Sequence, residues 1–427
     1  MTHYDHSAQS PLPTGTRPPY TPQPHPDWPP VPSRGPQPPS PGAVSPALAA
    51  PPDSAQAALD GAPADRPVPQ RIWCVDDDRM GLLAMSVWSE QVPGRGEDAE
   101  PFVAFHTESR QGVLAVFDGS GGAGAAPAWQ APDGEYRTGA WVGARVARLA
   151  TDVWLHDVVD GEPALPETLR AYLRFFQERA PQRRSKISGT MRRQLPTTLA
   201  AVHYRVTHPQ GRPQLELRPL WAGDSRAYVL RPGSGLRVLT RDHTRESDAL
   251  ELLRTDPPMT NLVCSDRDFE IDSQQLTYSL PCVLVVATDG FFGYVHTPAD
   301  FEVLLLRTLA GAGSADEWAD RIRREVQSYT ADDASLAIVA LGYGGFQQVR
   351  HRFADRLQTL TDRYLRNRPH GLDLSSPVRG ESGPGPVPAA EDPADLPARV
   401  RAWQDHTWHS YRADYETHLP PAPEERM

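Results

Sequence analysis

The chain has 427 residues, a formal charge of −11, 46 prolines and three cysteines. So acidic a balance excludes a nucleic-acid-binding protein that works by neutralising phosphates, and no basic stripe with interleaved aromatics is present. Cys74, Cys264 and Cys282 are too few and too scattered for a disulfide framework or a structural zinc site, and no stretch approaches the ~20 apolar residues of a membrane helix.

About 20 of the prolines precede residue 70, in runs such as Pro36-Gln37-Pro38-Pro39-Ser40-Pro41 with almost no aliphatic pattern. Such a segment has little to bury against its chain entropy, so residues 1–70 are expected to form a disordered, polyproline-like tail, solvated or open to a partner. Met1 to His6 lack a basic start followed by an apolar stretch, so no secretory signal is visible. Together with the sparse cysteines this points to a cytoplasmic protein.

Order is expected from about Arg71. Residues 81–89, 102–105 and 112–117 read as strands, the last short and fully apolar like a buried strand. After a glycine-rich loop, helices are expected over 138–159, with Val142, Val146, Leu149 and Val153 on the packed side, and over 166–179, with Leu169, Tyr172, Leu173 and Phe176. Strands follow at 198–204, 215–222, 227–230 and 283–287, then helices near 299–309 and 315–329, then a strand at 336–341. This order predicts an α/β (α+β) fold, a four-layer α/β/β/α sandwich of two antiparallel sheets flanked by helix pairs. Beyond Gly345, Val349, Phe353, Leu357, Leu360 and Tyr364 mark an amphipathic helix. A Gly/Pro linker follows, and Asp395 stands where it would cap a last helix bearing Val400, Trp403, Tyr411 and Tyr415. These terminal helices are expected to pack on their own core, with a partner as the alternative.

Four acidic motifs sit where apolar runs end: Glu97-Asp98, Asp118-Gly119-Ser120-Gly121-Gly122, Asp289-Gly290 and Asp332-Asp333-Ala334-Ser335. A lone carboxylate at a strand mouth is poorly solvated, so several converging ones imply a hard cation, and oxygen-only ligands suit Mg2+ or Mn2+. The cluster Arg183, Arg184, Lys186, Arg192 and Arg193 reads as a solvated loop or an anion site. Asp242, His243, His203, Thr197 and Thr198 read as structural residues.

From Trp88 to Leu341 these motifs resemble, in order, those of metal-dependent type 2C (PPM) serine/threonine protein phosphatases. Gly223-Asp224-Ser225-Arg226-Ala227-Tyr228, Leu239-Thr240-Arg241-Asp242-His243 and Pro196-Thr197-Thr198-Leu199 extend the match. The resemblance implies hydrolysis of phosphoserine and phosphothreonine on proteins by a water activated between two Mg2+ or Mn2+ ions, opposing kinase signalling. It makes Asp118 the bridging ligand, with Glu97 and the Gly119 carbonyl at one metal and Asp289 and Asp332 at the other. Asp98 would act from beside the metals, and Asp224 would join Asp289 at a third, weaker ion. Asp118, Asp289 and Asp98 are thus the expected catalytic set. The arginine that the family places five residues before Asp98 is replaced by Pro93, which leaves Arg95 to grip the substrate phosphate. The missing upstream arginine and the short stretch between Asp224 and Asp289 keep open a phosphatase-like binding module with little turnover. The expected divisions are a tail at 1–70, the phosphatase domain at 71–345, a helical extension at 346–370, a linker at 371–394 and a final helix and tail at 395–427.

Overall fold

Alternation along strand β2 (Leu82–Ser89) shows how the layers stack. Leu83, Met85 and Val87 join one apolar cluster while Leu82 and Ala84 join another, because successive side chains leave a strand on opposite faces. The computed structural model describes residues 72–132, 134–181, 193–255, 257–369, 372 and 396–422. The proline-rich tail, nearly all of the linker, Asp395, and Arg183, Arg184, Lys186 and Arg192 of the basic cluster lie outside the described residues.

The first sheet runs β1 (Ile72–Asp77), β2, β14 (Ala334–Leu341), β13 (Cys282–Ala287), β9 (Arg226–Arg231) and β10 (Gly235–Val238), antiparallel throughout. The second runs β11 (Asp272–Ser273), β8 (Gln214–Ala222), β7 (Leu199–Thr207), β4 (Gln111–Val116) and β3 (Phe102–His106), and β12 (Leu276–Ser279) also pairs with β8. Pro219 is tolerated inside β8 because it falls between the β11 and β12 pairings, where its missing N–H costs no ladder bond on that side.

The two sheets face each other across Ala84, Leu284, Val286 and Val339 on one side and Leu114, Val116, Val202 and Leu217 on the other. Helices α2 (Gly139–Val159) and α3 (Pro166–Arg179) cover the second sheet. Helices α6 (Pro298–Gly311), α7 (Ala315–Tyr329), α8 (Phe346–Leu360) and α9 (Leu396–Tyr415) cover the first. The expected four-layer α/β/β/α sandwich is the observed architecture.

Short helices α1 (Gly121–Gly124), α4 (Ala249–Thr255) and α5 (Asp289–Phe292) complete the chain with a two-stranded ribbon, β5 (Pro127–Gln130) and β6 (Tyr136–Thr138). The sequence pattern missed this ribbon, which lies where only a loop was expected. It also misread the packed side of α2: Leu149 is 48% exposed, while Gly143, Ala144, Ala147 and Ala150 are buried. Small residues are needed on this side because backbone comes close; a Cβ on Gly143 would lie 2.5 Å from the carbonyl oxygen of Leu195, just before β7.

The C-terminal helices pack on their own core, as expected. Phe353, Tyr364, Trp408, Tyr411 and Tyr415 join the cluster under the first sheet. A buried charge network ties three of these helices together. Arg356 donates to both Glu302 oxygens, at 2.7 and 2.9 Å, and the Tyr411 hydroxyl donates to Glu302 at 2.7 Å.

Candidate metal centre

Strand register brings the acidic motifs together. Ala287 pairs with Leu336 and with Arg226, Ser89 with Ala334, Ala222 with Leu199, and Val116 with Ala200. The strand ends that carry Asp118, Asp224, Asp289 and Asp332, and the loop after β2 that carries Glu97 and Asp98, therefore open at one end of both sheets. Asp98 and Asp118 carboxyls lie within hydrogen-bonding reach of each other, as do Asp118 and Asp289. Asp98 is buried, Asp118, Asp224 and Asp289 are half-buried, and Asp332 stands exposed at the rim.

This crowding shows in the electrostatics. Burial first, then the charges of Asp98, Asp224 and Asp332, push the Asp118 carboxyl well above the usual range. Asp289 is raised by burial and then by Asp118, Asp224 and Asp332. Asp98 is raised by burial and then by Asp333, while a hydrogen bond from Ser335 partly offsets the rise. Glu97 is raised by burial, opposed by its hydrogen bond from Thr138. Among the described residues no Lys, Arg or His forms an ion pair with Asp98, Asp118 or Asp289.

The backbone around the acids is fixed by glycines and hydroxyls. The Asp118 carbonyl accepts from Thr198 N at 2.8 Å and from Thr197 Oγ1 at 2.7 Å. A Cβ on Gly119 would lie 2.6 Å from the Glu97 carbonyl oxygen, and one on Gly290 would lie 2.0 Å from that of Asp333. Thr288 Oγ1 donates to Asp98 at 3.0 Å while accepting from Ser335 N at 2.9 Å. Asp333 accepts from Gln91 N at 2.8 Å and from Glu97 N at 2.6 Å, pinning the loop that presents Glu97. Arg145 lies under the same loop, donating to the carbonyls of Gly96, Glu97 and Trp141 with its guanidinium 3.9 Å from the Trp141 ring centre. Burial lowers its pKa to about 10, so it stays charged at neutral pH.

The sequence marked Glu97, Asp118, Gly119, Asp224, Asp289 and Asp332 as expected ligands but none of these supports. Asp333 and Ser335 lay inside a quoted motif without a role and Thr288 stood directly before one, whereas Thr138 and Arg145 carried no signal at all. Arg95 stands exposed on the Glu97 loop. Asp242 and His243 are structural, as read: Asp242 takes the Arg226 guanidinium at 2.7–3.2 Å, and His243 Nδ1 accepts from Gly223 N at 3.0 Å. His203 is likewise held in the sheet, 3.2 Å from Gln111.

The donor set fits a hard cation: carboxylates close together, buried or half-buried, with no pairing cation for the central three. Yet among the described residues no group of three or more His, Cys, Asp and Glu side chains converges into a finished coordination sphere.

No family model and no curated protein matches the chain. Similar solved structures include a C. elegans sex determining protein, 18% identical over 64% of this chain and 67% of that chain, with a TM-score of 0.45. A bacterial serine phosphatase is 16% identical over 61% and 98%, at 0.42. A serine/threonine phosphatase from Staphylococcus aureus is 16% identical over 60% and 94%, also at 0.42. Likenesses this remote leave the chemistry to rest on the chain's own residues.

Proposed function

We propose that the chain is an Mg2+- or Mn2+-dependent phosphoprotein phosphatase acting on phosphoserine and phosphothreonine. The observation that carries this reading is the meeting of Asp98, Asp118 and Asp289, raised by burial and by neighbouring carboxylates, with no ion pair to any of them among the described residues. Bare carboxylates would repel a phosphate monoester. Two hard cations, when bound, supply positive charge facing the phosphoryl group and an acidified water for direct attack.

In this reading Asp118, Glu97, the Gly119 carbonyl, Asp289 and Asp332 would hold the two ions. Asp224 serves a third ion with Asp289. Asp98, gripped by Thr288 and Ser335, holds and passes a proton at its carboxylate. Arg145 is committed to backbone carbonyls, which leaves the exposed Arg95 to meet the substrate phosphate. Residues 71–345 carry the chemistry, α8 and α9 pack under the first sheet, and the 1–70 tail and 371–394 linker are left for partners.

The lack, among the described residues, of a converged trio of ligating side chains favours one rival, a phosphatase-like module that binds but scarcely turns over. Hydrolysis of a phosphothreonine peptide separates the two. The enzyme reading expects turnover with Mn2+, none with EDTA, and a fall of at least ~100-fold in Asp118→Asn and Asp289→Asn. Turnover indifferent to EDTA would reject the metal reading. Mn2+ binding without turnover on any phosphopeptide would establish the rival.

A further inference from the structure

The missed ribbon ends in a residue that touches the centre. Thr138 closes β6 and caps α2, where its Oγ1 accepts from Trp141 N at 3.1 Å. The same hydroxyl donates to Glu97 Oε1 at 2.5 Å. The other Glu97 oxygen faces the glycine turn: a Cβ on Gly121 would lie 2.1 Å from Oε2. Glu97 is thus seated between a hydroxyl and a missing side chain. Around that seat, Arg137 donates to the Gly94 carbonyl at 3.0 Å, and Arg145 and Asp333 hold the Glu97 backbone from both sides.

A long carboxylate side chain on a loop ordinarily loses rotamer freedom when it ligates a cation. Here that freedom is removed beforehand by a group rigidly placed at a helix start. Groups that orient metal ligands in this way typically account for 10–100-fold in affinity. We propose that Thr138 is a positioning residue for the cation centre: its hydroxyl seats the Glu97 carboxylate against the Gly121 turn, ready to take a divalent ion. This rests on the metal reading of the site and adds to it a residue that no motif marks.

Calorimetric titration of the full chain with Mn2+ tests it without recourse to turnover. Thr138→Val, which can neither accept nor donate, is expected to weaken the binding that Glu97 serves by about tenfold or more. Thr138→Ser, which keeps both bonds, should stay within about threefold of wild type. In a Glu97→Gln background the same Thr138→Val change should cost less than about twofold, because the seat then has no carboxylate to hold. Equal losses in both backgrounds would mean that Thr138 acts only as a helix cap, and no loss in Thr138→Val would also overturn the proposal. Should Thr138→Val not fold, Gly121→Ala decides, since it disturbs the seat from the opposite side and leaves the α2 cap intact; unchanged Mn2+ affinity there overturns the idea. A wild-type chain that binds no Mn2+ removes the metal reading itself, a failure visible before any variant is made.

Discussion

Raising the pH without divalent cations should destabilise the folded chain, and neutralising Asp118 should remove much of that loss. Asp98, Asp118 and Asp289 are each raised well above the ordinary carboxyl value of 3.8, by burial first and by neighbouring carboxylates after it. A group raised in the folded state keeps its proton where the unfolded chain has released it. Its stabilisation is complete below the ordinary value and is lost as pH climbs through the raised folded value. Each proton held only by the folded state makes stability fall by about 1.4 kcal/mol per pH unit, against a total of about 5–15 kcal/mol for a domain. Urea unfolding in EDTA between pH 5 and 8, for wild type and Asp118→Asn, reads this directly. The advantage of the variant should grow with pH, by up to about 1.4 kcal/mol per unit, since the substitution removes a raised group and relieves its neighbours. Mn2+ at a hundred times its dissociation constant should return about 2.7 kcal/mol to the wild type and flatten its pH dependence. Parallel curves for the two proteins, or a wild type that gains on the variant as pH rises, would refute the coupling of these carboxylates.

Three further outcomes follow from the geometry. Asp333→Ala frees the Gln91 and Glu97 N–H groups, and turnover on a phosphopeptide should drop about tenfold or more while circular dichroism stays native; unchanged turnover would mean that the loop is held by other contacts. Arg356→Ala leaves Glu302 buried without its cation and should cost about 3–5 kcal/mol in urea unfolding, whereas a loss below ~1 kcal/mol would show that the network carries little energy. Burial pushes the thiol of Cys282 up to about 12 and raises that of Cys264, so neither should react with a thiol reagent at pH 7.5 until urea unfolds the chain; rapid native labelling of either would contradict their place in the core.

Much of the layer order was legible because strand and helix periodicities are local. The 166–179 and 315–329 helices match α3 and α7, since each carries its apolar stripe and end signals within itself. Motif spacing likewise marked Glu97, Asp98, Asp118, Asp224, Asp289 and Asp332, all of which fall at one end of the sheets. The ribbon and the packed side of α2 were not legible. A three-residue strand has almost no period to read, and an Ala/Gly face announces itself only when a backbone such as that of Leu195 comes close.

The sequence by itself marked the longer strands and helices, and which carboxylates stand at strand mouths, because both depend on neighbours along the chain. Only the tertiary structure decided what holds those carboxylates: Thr138 reaches Glu97 across 41 residues, Thr288 reaches Asp98 across 190, and Asp333 reaches Glu97 across 236. Hydrogen bonds of that span follow from strand register and helix placement, and no local pattern encodes the partner at the far end.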